Sequence, residues 1–220
     1  VLIGVDLGWY GKPSGLAVMR FDCGAGALRV ALLARPESAA EVLRLIDENA
    51  PGEASAVVAV DAPLMLSNAT GNREAEQELN RVYRRYEAGC HPVNAGMAFA
   101  PGVLAFARGL SDRGFAHEPD GPARRSGRWM LEVYPHAATI ALFGLEKTLK
   151  YKRGLRGDRA CELARLRKLI ALRLAELDPA VVDAVLPSIP ERGDLKPVED
   201  RLDAILCAYM AAYWWRWGLE

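Results

Sequence analysis

The run Val1-Leu2-Ile3-Gly4-Val5-Asp6-Leu7-Gly8 constrains the fold more than any other stretch of the chain. Its apolar residues are β-branched or Leu, and no charge precedes Asp6. Such a run predicts a strand buried on both faces, and hence a central place in a sheet. A carboxylate at the carboxyl end of that strand falls on the sheet rim, where α/β proteins place ligands. Ala56 to Asp61 repeats the pattern, an apolar run closed by one acid.

Between the two runs, Leu16 to Phe21 and Leu28 to Leu33 read as strands. The turn-rich Trp9 to Gly15 and Cys23 to Ala27 set them close enough to the first strand for an antiparallel meander. Ser38 to Asn49 reads as a helix, with Ser38 at the N-cap and Glu41 three residues on as a capping box. A helix between the third and fourth strands is a crossover, so the fourth lies parallel to the first. Their terminal acids then stand on neighbours roughly 4.8 Å apart.

Further on, Arg73 to Tyr86 and Pro101 to Leu110 read as helices, and Ser111 to Arg128 as a long loop. Trp129 to Tyr134 is the fifth strand. His136 to Phe143 and Arg159 to Leu177 are helices, and Pro187 to Lys196 is irregular. Pro197 to Trp217 closes the chain as a helix with Pro197 in its first turn. This order predicts an α/β fold of the RNase H-like kind: a five-stranded mixed sheet, order 3-2-1-4-5, flanked by helices. One domain spans 1–220, with a helical insertion at about 66–128 between strands 4 and 5.

Charge and cysteine content narrow the function classes. Lys+Arg and Asp+Glu number 28 each, which argues against a strongly basic nucleic-acid coat and leaves a local patch open. The four cysteines form no C-x-x-C pair, so zinc and redox motifs are not expected and a reduced, cytoplasmic compartment is. No basic stretch followed by an apolar one opens the sequence, which starts at Val1 without a Met, as a processed or trimmed terminus would. The longest apolar run, Ala204 to Trp215, has twelve residues, short of the roughly 20 that span a bilayer. No membrane segment is expected.

Four acids carry the functional reading. Asp6 and Asp61 repel unless a cation sits between them, and Mg²⁺ or Mn²⁺ suits hard oxygen donors. Glu132 is a charge inside the strand Trp-Met-Leu-Glu-Val-Tyr. Glu199 and Asp203 share one face of the last helix, and Leu202, Leu206, Tyr209 and Tyr213 form the opposite apolar stripe. Asp6, Asp61, Glu132 and Asp203 together predict a divalent-metal site and the catalytic residues of a nuclease that hydrolyses phosphodiesters with two metals. Taken singly, each acid also fits a turn cap, an edge-strand charge or a solvated helix position.

Several motifs occur together: Gly4-Val5-Asp6, Gly11-Lys12-Pro13-Ser14-Gly15-Leu16-Ala17, Val60-Asp61-Ala62-Pro63-Leu64, Thr70-Gly71-Asn72-Arg73, Glu132-Val133-Tyr134-Pro135-His136 and Glu199-Asp200-Arg201-Leu202-Asp203-Ala204. As a set they resemble a widespread prokaryotic family, the domain-of-unknown-function family four-two-nine, described as predicted nucleases of RNase H fold. The resemblance implies that fold and a metal site at Asp6, Asp61, Glu132 and Asp203. The last position also resembles the closing Asp-Ala of Holliday-junction resolvases of the same superfamily.

Other residues suggest a phosphate-bearing substrate. Asn68, Thr70 and Arg73 follow strand 4 at the rim of Asp61 and could hold a phosphate, or could simply cap a helix. Lys150, Lys152, Arg153, Arg156 and Arg159 make a basic run around Tyr151 that could follow a nucleic-acid backbone, or form a solvated face. His136, four residues after Glu132, could move a proton or hold a structural hydrogen bond. Lys12, between glycines, could meet a phosphate. The cluster Trp214, Trp215, Trp217 packs the last helix or contacts a second copy in a homodimer. The expected partner is nucleic acid, DNA or RNA. Two other functions fit parts of the pattern. Asp6-Leu7-Gly8 with Lys12 fits phosphoryl transfer of the actin-like and sugar-kinase kind, and a non-catalytic binding protein could keep the same fold.

Overall fold

β1 (Leu2–Asp6) is the middle strand of a five-stranded sheet in a computed structural model that describes residues 1–219. It pairs antiparallel with β2 (Gly15–Asp22) and parallel with β4 (Ala56–Val60). β3 (Ala27–Ala34) lies antiparallel to β2, and β5 (Arg128–Glu132) parallel to β4. The order is β3-β2-β1-β4-β5, the order expected from the element sequence. α1 (Ala39–Asn49) makes the crossover between β3 and β4. Its Ser38 Oγ accepts from the Glu41 amide at 3.2 Å, while the Glu41 carboxylate reaches past the cap to the Glu37 amide at 2.8 Å.

Both faces of the sheet are covered, which is why its central strands read as unbroken apolar runs. Successive side chains along a strand point to opposite faces. Ile3, Val5, Val58, Val60 and Met130 pack under α1 and α3 (Ala100–Ser111), against Val42, Ile46, Val103, Phe106 and Leu110. Leu2, Ala59 and Leu131 pack on the other side, in the core shared by α4 (Pro135–Phe143), α5 (Arg156–Arg173) and α6 (Lys196–Trp217). The stretch between β4 and β5 holds α3 and α2 (Glu74–Tyr83), the latter continued by a single 3₁₀ turn at Arg84–Tyr86.

α6 crosses β1, β2 and β4 at very short range. A Cβ at Gly4 would fall inside the backbone of Ala204 and Ala208, and one at Gly15 inside the carbonyl of Asp200. Glycine at these two strand positions lets the helix settle directly on the sheet. With the sheet beneath it and α4 and α5 packed on it, α6 is buried nearly all round, from Val198 to Ala208 save Arg201. Its acids do not form a solvated face opposite one apolar stripe. Glu199, Asp200 and Asp203 are all buried.

Several element ends differ from the sequence reading by a few residues. β5 stops at Glu132 because Tyr134 is already the N-cap position of α4, with Pro135 in its first turn. α5 runs from Arg156 to Arg173. The indoles at the end of α6 find acceptors within the chain: Trp214 donates to the Pro119 carbonyl and Trp217 to that of Asp178, each at 2.7 Å, and Trp215 to that of Arg125 at 3.2 Å. Among the described residues, no helix is long and apolar enough to cross a membrane.

Candidate functional site

Strand register decides which acids meet. Leu2, Ile3, Gly4 and Val5 lie opposite Val57, Val58, Ala59 and Val60, and the Asp61 amide donates to the Val5 carbonyl at 2.8 Å. Asp6 and Asp61 are therefore level with each other at the carboxyl ends of neighbouring strands. By alternation they share the face of Gly4 and Ala59, the face on which α6 lies. Asp203 sits on α6 beside Ala204, whose backbone abuts Gly4. Close packing of the helix thus brings a third acid to the pair.

The electrostatics register this convergence. Burial raises the Asp6 carboxyl well above its ordinary range, and the charges of Asp203 and Asp61 add to the effect against the pull of Lys152. Asp61 is pushed up to about 6, by burial first and by Asp203 and Glu132 in addition, again against Lys152. No hydrogen bond contributes at either group.

Asp203 has different surroundings. It is completely buried, accepts a hydrogen bond from the Tyr151 hydroxyl at 2.7 Å, and pairs through Oδ2 with Lys152 Nζ at 2.8 Å. That ammonium is near but poorly aligned, so Oδ2 is left without a proper hydrogen bond. Burial alone would raise the Asp203 carboxyl; Lys152, His136 and Tyr151 together outweigh it and hold the group below its ordinary value. In return, Lys152 is held well above the usual lysine range, Asp203 chief among the charges that overcome its burial.

Glu132 stands apart from these three. It lies opposite Val60, one residue short of Asp61, so alternation turns it toward the other face of the sheet. There it accepts from the Leu64 amide at 3.1 Å and from both terminal guanidinium nitrogens of Arg73. Arg73 also binds Glu76, which is itself buried, and the Met65 carbonyl. The guanidinium is thus enclosed by acceptors of its own chain.

The remaining sequence candidates divide into structural and exposed. Asn68 uses its amide to hold the carbonyls of Thr70, Gly71 and Val93, and its Oδ1 is buried without a partner. Thr70 is exposed beside it. His136 Nδ1 lies 3.2 Å from Thr148 Oγ1, and its ring stacks between Tyr134 and Tyr151. Burial, with Lys152 nearby, lowers its pKa to about 4, so it is neutral at pH 7. Lys150 pairs with Glu87 at 2.9 Å. Lys12 is exposed just past Asp6, on a turn where Tyr10 holds a left-handed φ of 60° with its ring two-thirds exposed.

As they stand, no three His, Cys, Asp or Glu among the described residues are grouped to hold a metal ion. Arg73 holds Glu132, and Lys152 pairs with Asp203. The chemistry of the remaining donors nonetheless fits a hard cation. Asp6 and Asp61 make no side-chain hydrogen bond, burial raises both, and the charge of Asp203 adds to the effect at each. Glu132 fits less well, since it would have to leave Arg73, which would then keep only Glu76 as counter-charge.

Sequence reasoning missed three partners of this site: the Arg73–Glu132 clamp, the role of Tyr151, and the ion pairs that seat the start of α6. In those pairs Asp200 meets Arg35 at 2.8 Å and Lys196 at 2.5 Å, and Glu199 meets Arg159. The alternation of Glu132 with respect to Asp61 was the available signal for the first. The others join segments far apart in sequence.

A family described as Protein of unknown function (DUF429) matches residues 4–218. No curated protein and no solved structure matches the chain.

Proposed function

The chain belongs to the DUF429 family, and from its acid rim we propose that it is a hydrolase that cleaves phosphodiester bonds of nucleic acid with a divalent ion, Mg²⁺ or Mn²⁺. The observation that carries the reading is the level, unpartnered pair Asp6 and Asp61 with Asp203 beside it. Three acids would hold the ion: Asp6 and Asp61 from rigid central strands, and Asp203 from the helix packed on them. When bound, the ion would lower the pKa of a water and neutralise charge on a phosphoryl oxygen.

The chain's own residues supply the rest. β1 and β4, buried on both faces, fix two carboxylates at the carboxyl-end rim of the sheet. The Tyr151 hydroxyl orients Asp203, and Arg73 keeps Glu132 out of the cluster. Lys12, just past Asp6, and Arg153, next to Lys152, are exposed and would meet backbone phosphates through charge alone. The RNase H-like sheet order supports this reading, because it places two acids on adjacent parallel strands.

A second reading has one observation in its favour: Lys152 already supplies a cation to the cluster. In that reading the lysine is a permanent counter-ion and the protein binds without catalysis. Incubation of the full chain with single-stranded, duplex and branched DNA and RNA in Mn²⁺ separates the two. Cleavage that disappears in Asp61→Asn supports hydrolysis; intact substrates across the whole set contradict it.

A further inference from the structure

We propose that Lys152 is a latch on the acid cluster: its ammonium stands in for the divalent ion when none is bound and swings out to the substrate phosphate when one arrives. The inference rests on the hydrolase reading above and adds a positioning residue to it.

The geometry of Lys152 is that of a surrogate cation. Its Nζ is 2.8 Å from Asp203 Oδ2, and its charge acts strongly on both Asp6 and Asp61. The carboxylate it pairs with is wholly buried, whereas the lysine side chain is 30% exposed. The lysine side chain therefore links the surface to the cluster, with its ammonium lying deep beside Asp203.

The ion pair is close but badly aligned, since Asp203 Oδ2 makes no proper hydrogen bond. An oxygen held by charge and not by direction is available to another cation. Asp203 keeps its Tyr151 hydrogen bond at 2.7 Å in either state, so it stays in place when the lysine leaves.

The backbone around Lys152 need not move. Tyr151 is buried, and its carbonyl accepts from Arg159 Nε at 3.0 Å. The next residues, Arg153 to Leu155, are exposed. The main chain is thus pinned on the inner side while a four-carbon stem with many rotamers carries the charge. Rotation about that stem is enough to transfer the ammonium from Asp203 to a phosphate at the rim.

The test uses the full chain with Mn²⁺ as probe. Each lysine is acylated with an amine-reactive reagent and quantified by mass spectrometry, with and without saturating Mn²⁺. Lys168, exposed on α5, serves as control. Lys152 should be protected without the ion and several-fold more reactive with it, while Lys168 stays unchanged. In parallel, Lys152→Met should bind Mn²⁺ about ten-fold more tightly than the parent, as measured by calorimetry. If the parent binds Mn²⁺ with no change in Lys152 reactivity, the latch is wrong and the metal reading stands. If neither protein binds Mn²⁺, the metal reading falls and the latch with it. Binding by Lys152→Met alone supports a latch that a bare ion cannot open. The acylation measurement needs no variant, so a poorly folded Lys152→Met would leave it decisive.

Discussion

Asp6 and Asp61 stand level on neighbouring parallel strands, facing the same helix, with no hydrogen bond to relieve either. Such a pair destabilises the fold that holds it. Burial and like charge lift Asp61 from 3.8 to about 6, roughly 3 kcal/mol at about 1.4 kcal/mol per unit. Because the folded pKa lies above the unfolded one, stability falls as pH rises from about 4 through 6, and the full cost is present above that window. Asp61→Asn should therefore unfold at a higher temperature than the parent at pH 7.5 in the absence of metal, by about 1–3 kcal/mol. The difference should shrink toward pH 4. A variant less stable than the parent at pH 7.5 would contradict the electrostatic account.

Glu132 gives the sharpest separation between sequence expectation and geometry. Its carboxylate lies one strand position from the layer of Asp61 and is held by Arg73. Glu132→Gln should leave Mn²⁺ affinity within two- to three-fold of the parent. Arg73→Met should cost about 3 kcal/mol in urea unfolding, because it leaves Glu76 and Glu132 without their shared partner. A large loss of Mn²⁺ affinity in Glu132→Gln would return that residue to the ligand set.

Gly4 is the contact on which the site's third acid depends. Any side chain there collides with the α6 backbone at Ala204 and Ala208. Gly4→Ala should destabilise by about 3 kcal/mol or more and lower the soluble yield, since helix backbone cannot yield as a side-chain tip can. Unchanged stability would mean that α6 does not sit on β1 as described.

His136 is kept neutral by its place between Tyr134 and Tyr151. Its folded pKa of about 4 lies below the ordinary 6.5, so the unfolded chain takes up the proton first. Stability attributable to this group is intact above about pH 6.5 and is lost as pH falls toward 4. The imidazole proton resonances should titrate with a midpoint near 4 to 5. A midpoint near 6.5 would place the ring in water.

Much of this fold was legible because its cause is local. The apolar runs closed by Asp6 and Asp61 announce central parallel strands, and the short turns of the first 35 residues announce the meander. The pair Asp6 and Asp61 followed from strand order alone. What the sequence did not disclose depends on contacts between distant segments. Lys152 read as part of a basic run because nothing local ties it to Asp203, 51 positions later. Glu199 and Asp203 read as one face of an amphipathic helix because the burial of α6 on nearly all sides arises from two glycines in other elements, Gly4 and Gly15. Arg73 read as a phosphate ligand because its partner Glu132, 59 positions on, meets it only in the folded chain, although Glu76, three residues on in α2, is a local partner.

The central claim is that Asp6, Asp61 and Asp203 form one cation site. Calorimetric titration of the metal-free chain with Mn²⁺, run alongside Asp6→Asn, tests it most directly. Saturable binding by the parent, weakened at least ten-fold in Asp6→Asn, is the predicted result. Equal affinity in the two proteins, or no heat from either the parent or Lys152→Met, would contradict it.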